Sequence, residues 1–157
     1  MTLSNLLGDK LLLAKTNSDF YRREILVDTD ILVAIFKSDD SNHPKAMKLC
    51  ESLQEKGVEF ILSPFTLFEA ATVISYKVSH EKAICFVKEM KEINLSAYTL
   101  LSEHLELAEK WFFKQKGRGI SYFDCYNMAL LERYKNQLDG IFSFDKIYKK
   151  NGFKTFF

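Results

Sequence analysis

Four carboxylates stand where their surroundings could turn them to chemistry. Asp28 closes the apolar run of ILVDTD, Glu69 lies in SPFTLFEAA, Asp124 in SYFDCYNMAL and Asp145 in FSFD. Asp28 and Asp145 each follow a segment that reads as a strand, and open α/β sheets bind ligands beyond the carboxyl ends of their strands. Glu69 and Asp124 sit in the opening turns of apolar helices, which can point toward the same strand ends. If the four converge, like charges meet in one cleft, and repulsion either raises their pKa values or demands a cation. Hard oxygen donors of this kind suit Mg²⁺ or Mn²⁺ rather than zinc. An ion so held lowers the pKa of a bound water and orients it for in-line attack on phosphorus, so phosphodiester hydrolysis needs no nucleophilic Ser or Cys.

Each acid also has a simpler explanation. Ser121 with Asp124, and Thr66 with Glu69, match capping boxes, while Asp30 and Asp145 fit the caps of the helices that follow them. An acid in a first helical turn gains roughly 0.3 to 1 kcal/mol from the macrodipole. Singly, each reads as a cap; jointly, they read as a site.

The elements that would position these acids alternate. Glu24 to Thr29 reads as a first strand, apolar without alternation at Ile25, Leu26 and Val27, as in a parallel sheet covered on both faces. A short helix over Ile31 to Lys37, a polar loop and a helix opened by Pro44 and ended by Gly57 lead to a second strand, Val58 to Leu62. Helices follow from Ser63 to about Val78 and from Ser79 through Met90, then a strand over Asn94 to Leu100. A Ser102-capped helix is stopped by Gly117 and Gly119, and Ser121 caps another that runs through Tyr134. Asp139 and Gly140 read as a turn into a strand from Ile141 to Phe144, followed by a helical turn at Lys146 to Lys150 and a last strand at Phe153 to Phe156. The expectation is a three-layer α/β domain over residues 24–157 with a mainly parallel central sheet. Residues 1–23 stand apart as an amphipathic arm, with Leu3, Leu7, Leu11 and Ala14 on one helical face.

Composition narrows the class. A chain of 157 residues with 47% hydrophobic and 27% charged content suits one globular domain rather than disorder or a collagen-like repeat. The longest apolar run, Ile31 to Phe36, is far short of the roughly 20 residues that span a bilayer, and Leu11 to Ala14 is too short for a secretory core, so a cytoplasmic protein is expected. Cys50, Cys85 and Cys125 are odd in number and form no CxxC pair, and they read as buried thiols in a reducing compartment. Net charge is +1 but uneven: from Lys110 onward there are 10 Lys and Arg against 4 Asp and Glu. That basic end suits nucleic-acid phosphates.

The ordered set of strand plus Asp-Thr (Ile25 to Thr29), Glu69 after Ser-Pro, Asp124 in an apolar helix and Ser143-Phe144-Asp145 after a strand resembles the PIN-domain ribonucleases. It is particularly similar to the VapC-type toxins and their stand-alone relatives, over roughly Glu24 to Phe157. The resemblance implies a PIN-like α/β domain, a metal-dependent endoribonuclease using Mg²⁺ or Mn²⁺, RNA as substrate, a homodimer, and for the toxin group a cognate antitoxin. It places the acidic quartet on Asp28, Glu69, Asp124 and Asp145, with Ser143 and Thr29 in support. Asp30 stands where the family usually has a small polar residue. Arg118, Lys116, Lys146 and Lys149 are candidates for RNA phosphates, and Tyr122, Phe123 and Tyr148 for stacking on an unpaired base. Two alternatives stay open. A PIN scaffold could bind RNA or a partner without cleaving. Asp28-Thr29-Asp30 also matches the Asp-x-Asp pair of haloacid-dehalogenase-type phosphatases, although that reading lacks its late acidic motif and leaves Glu69 idle.

Overall fold

The structure, a computed structural model, describes residues 23–157. The amphipathic arm, apart from Arg23, lies outside the described residues. β1 (Glu24–Val27) is apolar after Glu24 because both its faces are covered: Ile25 and Val27 enter one core and Leu26 the other. The chain then forms α1 (Thr29–Phe36), α2 (His43–Glu55), β2 (Glu59–Leu62), α3 (Thr66–Lys77), α4 (His80–Ile93), β3 (Ser96–Ala97), α5 (Ser102–Lys114), α6 (Tyr122–Arg133), β4 (Leu138–Phe142), α7 (Lys146–Lys150) and β5 (Thr155–Phe156). The sheet order is β3-β2-β1-β4-β5 and every pairing is parallel.

Two cores make the three layers. Residues of α1 to α4, among them Ile31, Leu32, Ile74 and Phe86, pack with Ile25, Phe60 and Phe142 on one side of the sheet. Residues of α5 to α7, among them Ala108, Met128 and Tyr148, pack with Leu26 and Ile141 on the other. The chain builds outward from β1 through β2 to β3, and α5 and α6 return it to β4 on the opposite side of β1. The strand order therefore reverses between β1 and β4, which opens a crevice beyond their carboxyl ends. There the Asp28 amide donates to the Phe142 carbonyl at 3.0 Å, tying the two strand ends together.

Several element boundaries differ from expectation for local reasons. Helix α3 begins at Thr66 rather than Ser63, because the Ser63 hydroxyl and carbonyl receive the amides of Phe65 and Thr66 in a turn. β3 is two residues long, since Asn94 is the left-handed cap of α4 (φ 52°) and consumes the start of the segment. Asp139 and Gly140 lie inside β4 instead of forming a turn. Register slips there, Glu24 pairing with Leu138 and Ile25 with Gly140, so Asp139 is bulged and its carboxylate meets Lys154 Nζ at 2.8 Å. Gly140 is required: its φ is +150°, and a Cβ would stand 2.5 Å from the Lys154 carbonyl oxygen. Cys50 and Cys125 are buried as expected, whereas Cys85 is exposed on α4. Burial pushes the Cys50 thiol up to about 12 and the Cys125 thiol up to about 11, which makes both inert as nucleophiles. No helix among the described residues is long and apolar enough to cross a membrane.

Candidate active site

Asp28 is the first residue past β1 and the N-cap of α1, where its Oδ1 accepts the Thr29 amide at 2.8 Å. It is 6% exposed. Its Oδ2 accepts the hydroxyl of Ser143, the first residue past β4, at 2.7 Å. The same Ser143 oxygen accepts the Asp145 amide at 2.9 Å, so one hydroxyl connects the carboxylate after β1 to the turn after β4. Asp145 in turn caps α7 through the Ile147 amide at 2.8 Å.

Capping accounts for some of the acids and not for others. Ser121 and Asp124 do form the reciprocal capping box of α6. The corresponding box of Thr66 and Glu69 is absent: α3 is preceded by Phe65, with no side-chain cap, and Glu69 Oε2 instead accepts the Thr29 hydroxyl at 2.6 Å. Asp30 is not the cap of α1 either. Its Oδ2 takes the Phe144 amide at 2.8 Å, holding the chain after β4 against the start of α1.

These positions place five carboxylates in one electrostatic group. Burial raises the Asp28 carboxyl well above the ordinary value, and the charges of Asp30 and Asp124 raise it further against the opposing pull of its hydrogen bonds. Burial also pushes Asp30 up to about 6, with Asp145 adding to the rise. Glu69 is raised by burial and by Asp124, offset in part by the Thr29 hydroxyl. The structure thus brings Asp28, Asp30, Glu69, Asp124 and Asp145 into mutual influence. They do not form a closed ligand cage: among the described residues, no three His, Cys, Asp or Glu side chains form a ready-made metal-holding group.

The donor chemistry nevertheless fits a hard divalent cation. Asp30 Oδ1 is buried with no hydrogen-bond partner, in a neighbourhood whose other charges are carboxylates. An orphan anionic oxygen among like charges is costly unless a cation or a proton compensates it. All the available donors are oxygens, as Mg²⁺ and Mn²⁺ prefer.

Two site residues escaped the sequence reading or were given another role. Asn127, one turn after Asp124 on α6, is 3% exposed, and its Nδ2 donates to Asp28 Oδ1 at 3.3 Å and to the Tyr148 hydroxyl at 3.1 Å. Tyr148 is fully buried, so it cannot stack on a base, and its hydroxyl donates to Asp124 Oδ1 at 3.2 Å. A lone amide in an apolar helix at helical spacing from a candidate acid was the available signal for Asn127. Tyr122 and Phe123 do reach the surface, Phe123 with its ring against Phe65 at 5.5 Å.

The basic candidates are all exposed. Lys116 and Arg118 lie on the loop that leads into Ser121 and the start of α6, and Lys146 and Lys149 lie on α7 directly after Asp145. Lys114 and Lys154 are engaged elsewhere, over the rings of Trp111 and Phe156.

Residues 25–154 match the sequence model of the PIN domain. Among solved structures, VapC20 of Mycobacterium tuberculosis, a Sarcin-Ricin loop cleaving toxin, is similar with a TM-score of 0.69 and 20% identity, over 83% of this chain and 96% of that one. At that identity the likeness establishes a shared fold. No curated protein matches the chain in sequence.

Proposed function

The chain belongs to the PIN-domain family, and from that premise we propose that it is a metal-dependent endoribonuclease of the VapC toxin type, with Asp28, Glu69, Asp124 and Asp145 as its catalytic and metal-binding acids. The observation that carries this reading is the convergence of carboxylates at the switch point, where buried Asp28, half-buried Asp30, Glu69 and Asp124 and exposed Asp145 are joined through Ser143, Thr29, Asn127 and Tyr148. Asp28, Asp30 and Glu69 are each raised there by burial and by another acid of the set. The likeness to VapC20, a Sarcin-Ricin loop cleaving toxin, supports RNA as substrate.

Mg²⁺ or Mn²⁺, when bound by Asp28, Asp124, Asp145 and Glu69, would supply an activated water and screen charge developing on phosphorus. The chain's own residues prepare the rest. Ser143 and the Thr29 amide fix Asp28 through two different oxygens, so its carboxylate plane cannot turn. The Thr29 hydroxyl, donating at 2.6 Å, holds one oxygen of Glu69 and leaves the other free toward the cleft. Asp30 holds the backbone of Phe144, and with it the approach of Asp145. Lys116, Arg118, Lys146 and Lys149 would contact phosphates of the strand on either side of the cleft. The exposed apolar side chains of Phe68, Tyr76 and Phe113 support association with a second copy, and a VapC-type assignment adds a cognate antitoxin.

The test replaces charge while keeping shape. Glu69→Gln and Asp124→Asn, purified away from contaminating nucleases, are assayed on a single-stranded RNA and on a small phosphomonoester. Both variants should melt near the parent and lose most RNA cleavage. Full RNA cleavage by both variants would refute the metal-ribonuclease mechanism. Phosphomonoester hydrolysis that needs Asp28 and Asp30 but not Glu69 would favour phosphatase chemistry.

A further inference from the structure

We infer that Asn127 and Tyr148 are positioning residues that brace Asp28 against Asp124, an inference that rests on the ribonuclease reading of this cleft. The two acids come from elements nearly a hundred residues apart, the end of β1 and the first turn of α6, and nothing in either element alone fixes their separation. The hydrogen bonds do. Both donors of the Asn127 amide are committed, one to Asp28 Oδ1 and one to the Tyr148 hydroxyl, and the single proton of that hydroxyl goes to Asp124 Oδ1.

The protons of this chain run from the Asn127 amide toward the acids. If the Asn127 amide were turned over, its oxygen would face the Asp28 carboxylate, so the amide is locked by the charge it serves. The Tyr148 hydroxyl, fully buried on α7, accepts from Asn127 and therefore can donate only onward. A phenol carries its proton at neutral pH, so the hydroxyl is a donor. The arrangement is not what packing alone would select. Asn127 Oδ1 is buried without a partner, whereas an apolar residue of the same volume would fill that position without stranding a polar atom. The amide is useful there because its two donors reach toward both acids. Groups that orient metal-binding carboxylates typically change metal affinity or activity by roughly 10- to 100-fold when removed.

The experiment uses the full chain with Tyr148→Phe, which keeps the ring and deletes the hydroxyl, and Asn127→Leu, which keeps the volume and deletes the amide. Calorimetric titration with Mn²⁺ alone is read beside kcat and KM on RNA and beside the melting temperature. Tyr148→Phe should melt close to the parent, bind Mn²⁺ roughly 10- to 100-fold more weakly and lose kcat by a similar factor at fixed Mn²⁺. KM for RNA should stay unchanged, and raising Mn²⁺ should restore kcat. The double variant should lose little more than the worse single one, because the residues act in series. Parent-like Mn²⁺ affinity in Tyr148→Phe overturns the inference, whether melting falls or not, and so does a parent that binds no Mn²⁺. Should Asn127→Leu fail to fold, Tyr148→Phe decides by itself. If Mn²⁺ affinity falls as expected but neither parent nor variant cleaves RNA, the brace stands and the ribonuclease reading fails.

Discussion

Asp30→Asn should make this protein more stable at neutral pH. The Asp30 carboxyl is pushed from an ordinary 3.8 up to about 6, chiefly by burial and further by Asp145. At about 1.4 kcal/mol per pH unit, that displacement corresponds to about 3 kcal/mol, reduced to about 2 where water reaches the edge of the group. The sign follows from proton binding. Below pH 3.8 the carboxyl is protonated in both folded and unfolded chains, and its charge costs nothing. Between 3.8 and about 6 the folded chain keeps a proton that the unfolded chain has released, so stability falls as pH rises, and above about 6 the loss is complete. Asparagine keeps an acceptor for the Phe144 amide, now at 2.8 Å from Asp30 Oδ2, and offers donors to the surrounding carboxylates. The variant should therefore match the parent near pH 3.5 and exceed it by about 2 to 3 kcal/mol at pH 8, roughly 4 to 12 °C in melting temperature for a domain of this size. Urea denaturation at pH 4, 6 and 8 in the presence of a chelator measures the difference. A variant less stable than the parent at pH 8, or a difference that does not change with pH, would refute the account of Asp30 as an uncompensated buried charge. Saturating Mn²⁺ should narrow the gap by stabilising the parent more than the variant.

Ser143→Ala removes both the hydroxyl on Asp28 and the acceptor of the Asp145 amide, and should lower RNA cleavage by roughly 10- to 100-fold while destabilising by about 1 to 3 kcal/mol, read from kinetics and urea midpoints. Gly140→Ala forces a Cβ against the Lys154 carbonyl at the β4–β5 junction and should cost more than about 2 kcal/mol, with a urea midpoint equal to the parent's as the contrary result. Lys116→Ala with Arg118→Ala should weaken binding of single-stranded RNA and flatten its logarithmic salt dependence by about 0.7 per lost phosphate contact, measured by anisotropy across salt concentrations. Mn²⁺ at 100 times its dissociation constant should stabilise the parent by about 2.7 kcal/mol, and chelation should leave the far-ultraviolet circular dichroism of a folded α/β domain.

The alternation of strands and helices was legible because each side of the sheet is covered, which leaves unbroken apolar runs such as Ile25 to Val27. The acids were legible as a set, because Asp28 and Asp145 follow strands and Glu69 and Asp124 open helices. What each acid bonds was not legible. Glu69 reads as a cap until Thr29, forty residues earlier, is known to take its oxygen. Asp139-Gly140 is a turn signal in any sequence, and only pairing with β1 and the close passage of Lys154 turn it into a bulge. Tyr148 resembled a stacking residue because its burial depends on α7 packing into the core it shares with α6 and the sheet, a tertiary fact. Asn127 stands out in sequence only as a lone amide one turn after Asp124, and what it bonds was hidden because both its partners come from other elements.

Capping and metal binding are not competing explanations of these acids; the first prepares the second. Asp28, Asp124 and Asp145 each accept a backbone amide at the start of a helix, so three helix N-termini converge on the switch point, with their partial positive charge toward the carboxylates. That field offsets some of the repulsion that would otherwise drive the acids apart, and each amide fixes one oxygen of its acid while leaving acceptor capacity on the other. The two functions separate by substitution. Asparagine keeps a side-chain oxygen that can accept the Ser121 amide, so Asp→Asn at Asp124 removes the charge and keeps that half of the capping box. Alanine removes both, together with the acceptor of the Tyr148 hydroxyl, and the stability of Asp124→Asn over Asp124→Ala should be about 1 to 3 kcal/mol, the worth of those hydrogen bonds. If that gap is found while both variants lose RNA cleavage equally, the cap contributes stability and the charge contributes catalysis. If Asp124→Asn retains cleavage that Asp124→Ala loses, orientation of α6 is what the acid supplies, and the cation must be held by the others.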